Sequence, residues 1–220
     1  MVAAAALILL AVAQLTTAHF GLPYPAWRYN TLNAANTSYS QWTYPCAGVP
    51  GNLPSGNRTD WPLKGGSIKL DLHHDWTYVF INLGLGANVS NFNYTLTPEI
   101  WNTTGKGLLC VPELTLPTDL SVVDGTQASI QVVTVGESGS ALYNCADITF
   151  RSSAAALSGD ECKTEGVTLA QIQPQVNGSS ANGSSTATPP KSAGSIAGVS
   201  NVVMSSVVGL ALVFAYGMGL

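Results

Sequence analysis

Residues 67–74, "SIKLDLHH", and residues 76–86, "WTYVFINLGLG", decide the fold. In the first stretch Ile68, Leu70 and Leu72 alternate with Lys69, Asp71 and His73, the period of two that marks a strand with one buried face. The second is aromatic and β-branched, which suits a pleated, half-buried surface. "NFNYTLT" at 91–97, "ASIQVVTVG" at 128–136 and "ALYNCADITF" at 141–150 share this enrichment, with Gly, Pro, Asn and Ser clusters between them. No interior stretch sustains helical periodicity. Several short strands with frequent turns predict an all-β chain, an antiparallel β-sandwich. Residues 20–62, rich in Pro, Asn and aromatics, read as long irregular N-terminal loops rather than sheet.

Both ends of the chain read as processing signals. The apolar run from Ala3 to Ala13, followed by Thr16, Thr17 and Ala18, has the pattern of a secretory signal peptide over residues 1–18, although no Lys or Arg precedes it. A run of about 11 apolar residues is short for a membrane span. Cleavage after Ala18 would make His19 the first residue. At the other end, residues 202–220, "VVMSSVVGLALVFAYGMGL", are apolar and no basic residue follows them. Small residues, a polar spacer and an apolar tail make up a GPI-attachment signal, here over residues 195–220. Ser192 is the expected ω-site, with the Asn182-Gly183-Ser184 region as the alternative. A true transmembrane helix fits less well, because glycines lie near the end and no cytoplasmic positive charge follows. Residues 176–194 then form a flexible stalk and 19–175 a single domain.

Composition narrows the setting. Seven N-x-S/T sequons, at Asn36, Asn57, Asn88, Asn93, Asn102, Asn177 and Asn182, predict a glycosylated protein of the cell surface, anchored to the plasma membrane through the GPI group. Charged residues make up 9% of the chain against an ordinary value of about 25%. A net charge of −4 with no basic patch gives no reason to expect nucleic acid as a partner. Four cysteines fit an oxidising compartment and two disulfides. Of the three pairings, Cys46–Cys145 with Cys110–Cys162 is preferred, the first pinning the N-terminal loop to a late strand. No C-x-x-C pair supports zinc, no G-x-S-x-G marks a nucleophile, and "GLGAN" opens no helix.

The three histidines are His19, His73 and His74. An N-terminal His19 would offer its α-amino group and ring Nδ1 to one metal ion, and a second imidazole would complete three nitrogens in a T, suited to tetragonal Cu(II). His74 shares the parity of Ile68, Leu70 and Leu72, whereas His73 points the other way. Taken alone, these two features are a motif and more often incidental than functional.

The wider sequence resembles the fungal copper proteins that are similar to lytic polysaccharide monooxygenases but belong to the copper-acquisition group. The motifs are "HFGLPYPAWR" at 19–28, "YPCAGVP" at 44–50, "NRTDWPLKGGSIKLDLHHDWTYVFINLGLG" at 57–86, "ASIQVV" at 128–133 and "GSALYNCADITF" at 139–150, followed by the GPI-type tail. One departure is Tyr29, where the family often has Gly after the arginine. The resemblance implies an immunoglobulin-like β-sandwich holding one Cu(II) in a histidine brace of His19 and His74. It also implies a carboxylate ligand, carried over to Asp147, with Asp75 and Asp71 as fallbacks. Leu142 best parallels the aromatic of the oxidative enzymes, and on a regular strand it would face away from Asp147.

The expected function is copper binding at the cell surface, in acquisition or homeostasis, by a monomer held near a plasma-membrane copper importer. The alternative is a copper-dependent oxidase of cell-wall polysaccharide, against which Leu142 and the membrane tether both speak. A third reading, an adhesive wall protein with incidental histidines, predicts no stoichiometric copper.

Overall fold

A computed structural model describes residues 19–33, 38–51 and 58–173. Ten strands run in order: β1 (Phe20–Tyr24), β2 (Thr59–Pro62), β3 (Gly65–Leu72), β4 (Trp76–Leu85), β5 (Tyr94–Thr95), β6 (Ile100–Thr104), β7 (Gly107–Thr115), β8 (Gln127–Val135), β9 (Ala141–Arg151) and β10 (Thr168–Ile172). A short 3-10 turn, Gly159–Cys162, lies before β10. One sheet has the order β1-β3-β7, and the other β10-β6-β4-β8-β9-β2 with β5 on β4. The two sheets form the expected β-sandwich.

Alternation along each strand builds the core between the sheets. Ile68, Leu70 and Leu72 from β3 meet Val79, Ile81 and Leu83 from β4, Ile130 and Val132 from β8, and Ile148 and Phe150 from β9. Full burial of such side chains contributes about 1.5–3 kcal/mol each. Trp61 anchors the far edge: fully buried, it packs edge-on against Phe150 and donates from Nε1 to the Ser67 carbonyl at 3.1 Å. Gly66 is required there, since a Cβ would stand 2.8 Å from the indole.

Residues 20–62 are not all loop. Phe20–Tyr24 pairs antiparallel with β3, and Thr59–Pro62 pairs with the end of β9 in parallel, the only parallel pairing among the described strands. Both are edge strands of their sheets. Edge positions tolerate Pro23 and Pro62, because a proline there removes no ladder donor. Proline content therefore misleads at these two places.

Both predicted disulfides are present, Cys46–Cys145 and Cys110–Cys162. The first holds the described parts of the N-terminal segment, 26–33 and 38–50, against β9. That segment also completes the free edge of β9: the Arg28 amide donates to the Cys145 carbonyl at 2.8 Å, and the Tyr143 amide donates to the Gln41 carbonyl at 2.7 Å. The larger sheet is thus covered on both faces in its central part.

Candidate metal centre

The adjacent histidines at the end of β3 have opposite surroundings. His73 continues the outer row of Lys69 and Asp71; it is exposed, and its Nε2 lies 3.1 Å from Asp71 Oδ2. His74 continues the inner row and is only 7% exposed. Its Nε2 is shielded from solvent and has no hydrogen-bond partner. The imidazole lies on Gly136, just beyond β8, where a Cβ would stand 3.0 Å from its Cγ. Among the described residues the other such buried side-chain atom is Thr77 Oγ1, on the strand that follows.

His19 reaches the same end of the sandwich. The β1–β3 register sets Phe20 opposite Leu72, so the chain preceding Phe20 runs to the step occupied by His73 and His74. The position of Phe20 is fixed on both backbone groups by Gln41, which is fully buried. The Phe20 amide donates to Gln41 Oε1 at 3.1 Å, and Gln41 Nε2 donates back to the Phe20 carbonyl at 2.9 Å. Asn144 Nδ2 adds a third bond to that carbonyl, at 3.3 Å.

Asp147 is not brought to this end. It faces outward on β9 opposite Ser129, while Leu142 faces the core opposite Thr134, so the strand is regular and the two residues point to opposite faces. Ser129 and Gly136 are seven residues apart, about 23 Å at roughly 3.3 Å per residue of strand. The Asp147 carboxylate is bound elsewhere. Arg28 donates from Nε to Oδ2 at 3.0 Å and from Nη2 to Oδ1 at 2.9 Å, and the Ser129 hydroxyl also donates to Oδ1. The paired side chains are 4% and 6% exposed. The expected copper ligand Asp147 is thus engaged by Arg28 and Ser129, away from the histidines. The fallbacks are engaged too, Asp71 with His73 and Asp75 with Lys106 at 3.1 Å. No group of three or more His, Cys, Asp or Glu side chains stands in metal-ligating geometry among the described residues. A brace requires only two imidazoles and an amine, so that observation does not bear against it.

Two positioning residues were not legible as such. Arg28 could have been sought as the counter-charge of Asp147, because a chain with so few cations seldom buries one without a partner. Gln41 lies in an irregular segment and gave no signal.

Comparison with known proteins first defines a class. The chain is 34% identical over 174 residues to the lytic polysaccharide monooxygenase-like protein X325 of Aspergillus fumigatus, covering 66% of this chain and 72% of that protein. It is 36% identical over 166 residues to a lytic polysaccharide monooxygenase-like protein of Emericella nidulans, covering 62% and 67%. It is 35% identical over 160 residues to the lytic polysaccharide monooxygenase-like protein ham-7 of Neurospora crassa, covering 66% and 69%. Within that class, the BIM1-like copper acquisition factor domain matches residues 17–167. The chain belongs to the BIM1-like copper acquisition factor family, and its function is copper-related.

Proposed function

We propose that this chain is a cell-surface Cu(II)-binding protein that acquires or retains copper rather than oxidising polysaccharide. The observation that carries the reading is the His74 ring nitrogen, buried and without a partner at the end of the sandwich to which His19 leads. Leaving such a nitrogen unsatisfied costs about 1–3 kcal/mol, a cost that a bound metal ion offsets. The proposed ligands are the His19 α-amino group and ring, released by cleavage after Ala18, with His74 opposite. Gln41 holds the residue next to the amine, and Gly136 fixes the second ring. His73, turned outward, is left off the metal. Copper is cargo in this reading. The expected leader, stalk, Ser192 attachment site and tail lie outside the described residues, as do the sequons at Asn36, Asn57, Asn177 and Asn182. Anchoring near a copper importer completes the proposal.

The test combines intact mass of the secreted protein with copper titration followed by electron paramagnetic resonance. One Cu(II) per chain, a mature N-terminus at His19 and nitrogen couplings are expected. Affinity should fall with falling pH, because a metal ion binds only the unprotonated amine and imidazoles and so competes with protons for them. A mature chain beginning elsewhere removes the amine and with it the brace. Copper-dependent release of oxidised oligosaccharides from chitin, cellulose or β-glucan would replace the reading with the oxidase alternative. That outcome is not expected, since the position that by resemblance best parallels the oxidative enzymes' aromatic is Leu142, a buried aliphatic.

A further inference from the structure

At the end of the sandwich opposite His74, a cleft of about 600 Å³ opens between the start of β6 and the end of β7. Its walls are apolar at Tyr94, Leu116 and Pro117, and Glu99, Glu113 and Asp119 stand among them. None of the residues lining it is Lys or Arg, which disfavours a phosphate or other anion. Carboxylates that accept hydrogen bonds, interleaved with flat apolar surface, suit a neutral polyol that presents hydroxyl donors and a C–H face. Asn93 and Thr95, the two defining positions of the sequon Asn93-Tyr94-Thr95, are both exposed and both line this cleft. A sugar attached to the Asn93 side-chain nitrogen would begin its course at the cleft mouth.

We propose that the cleft is the seat of the protein's own N-linked glycan at Asn93, with the two N-acetylglucosamine units nearest the protein packed against Tyr94 and Leu116. The tether makes the association intramolecular, so weak contacts suffice because the effective concentration is high. The occupied cleft covers apolar surface that a protein with 9% charged residues otherwise leaves to water. The sugar lies away from the histidine end and leaves it open. This inference rests on passage through the secretory pathway and not on copper binding.

The experiment uses the chain from His19 to Leu220 behind a eukaryotic host's own leader, so that entry into the pathway does not depend on residues 1–18. Glycopeptide mass spectrometry reads occupancy at Asn93. The rate at which an endoglycosidase cuts between the first two sugars is then compared in native and denatured protein. Asn93 should be occupied and cut at least tenfold more slowly in the native state. Thr118→Trp, at an exposed loop position that lines the cleft, should fill the space and abolish most of that protection at unchanged occupancy. A bare Asn93, equal rates in native and denatured protein, or protection that survives Thr118→Trp would each overturn the proposal. Copper titration of the same samples separates this from the brace, because failure of the glycan proposal leaves the binding isotherm unchanged.

Discussion

The surroundings of Asp147 and of His74 are two buried polar places with opposite hydrogen-bonding states. Around Asp147 the partners are complete. Arg28 and Ser129 bind the carboxylate, and the remaining guanidinium nitrogen donates to the Val49 carbonyl at 3.2 Å. Around His74 the ring Nε2 is shielded from solvent and has no hydrogen-bond partner. A buried group whose bonding capacity is filled from within the protein holds the fold together and has little left for a ligand. A buried group without a partner keeps its bonding capacity for a ligand. The sequence reading gave both residues a ligand role, yet their hydrogen-bonding surroundings differ.

The largest effect expected from breaking this contrast is at the filled place. Arg28→Ala leaves the buried Asp147 carboxyl without its cation, and should cost about 3–5 kcal/mol in a denaturant titration. Replacing both members together, Arg28→Met with Asp147→Leu, should recover much of that loss and leave copper affinity close to wild type. Copper affinity that falls more than stability does in Asp147→Asn would show that the carboxylate reaches the metal after all.

Next in size are the changes at the unfilled place. His74→Ala should weaken Cu(II) binding by about 100-fold or more and alter the nitrogen couplings. His73→Ala should change affinity less than about tenfold. Melting measurements on metal-free His74→Ala should show little or no destabilisation, because the substitution removes an unsatisfied nitrogen as well as packing. If His73→Ala is the more damaging change, the inner-row assignment is wrong.

A smaller effect sharpens the geometry. Gly136→Ala places a methyl group 3.0 Å from His74 Cγ, so the ring must shift. An affinity loss of roughly tenfold with a stability change near 1 kcal/mol is expected, in the range of other tight core insertions. Unaltered copper spectra in this variant would mean that the ring does not hold the metal from where it now lies.

The smallest effect concerns acid stability. The Ser152 backbone amide, then its hydroxyl and the Arg151 guanidinium, hold the exposed Asp124 carboxyl below its usual value. A lowered carboxyl contributes stability above its unfolded value of about 3.8, and that contribution is lost as pH falls through the lowered folded value. Asp124→Asn should therefore flatten the acid limb of a stability-against-pH curve slightly, with copper affinity at neutral pH unchanged.

The strand pattern was legible in the residues themselves, because alternation is local: Ile68, Leu70, Leu72 and His74 share a face whatever packs against them. The all-β class and the separation of His74 from His73 were readable for that reason, while the two disulfide pairings were a preference among three. Alternation does not say what covers each face. Parity turns Asp147 away from Leu142, and only the folded chain laid Arg28 and residues 38–50 over it. In the same way, the parallel seating of Thr59–Pro62 on β9 joins residues about 90 positions apart, beyond the reach of any local signal. The seating of the His74 ring likewise depends on Gly136 arriving from the end of β8. Parity follows from the backbone period and is written in the sequence, whereas burial and pairing belong to contacts between distant segments and exist only once those segments meet.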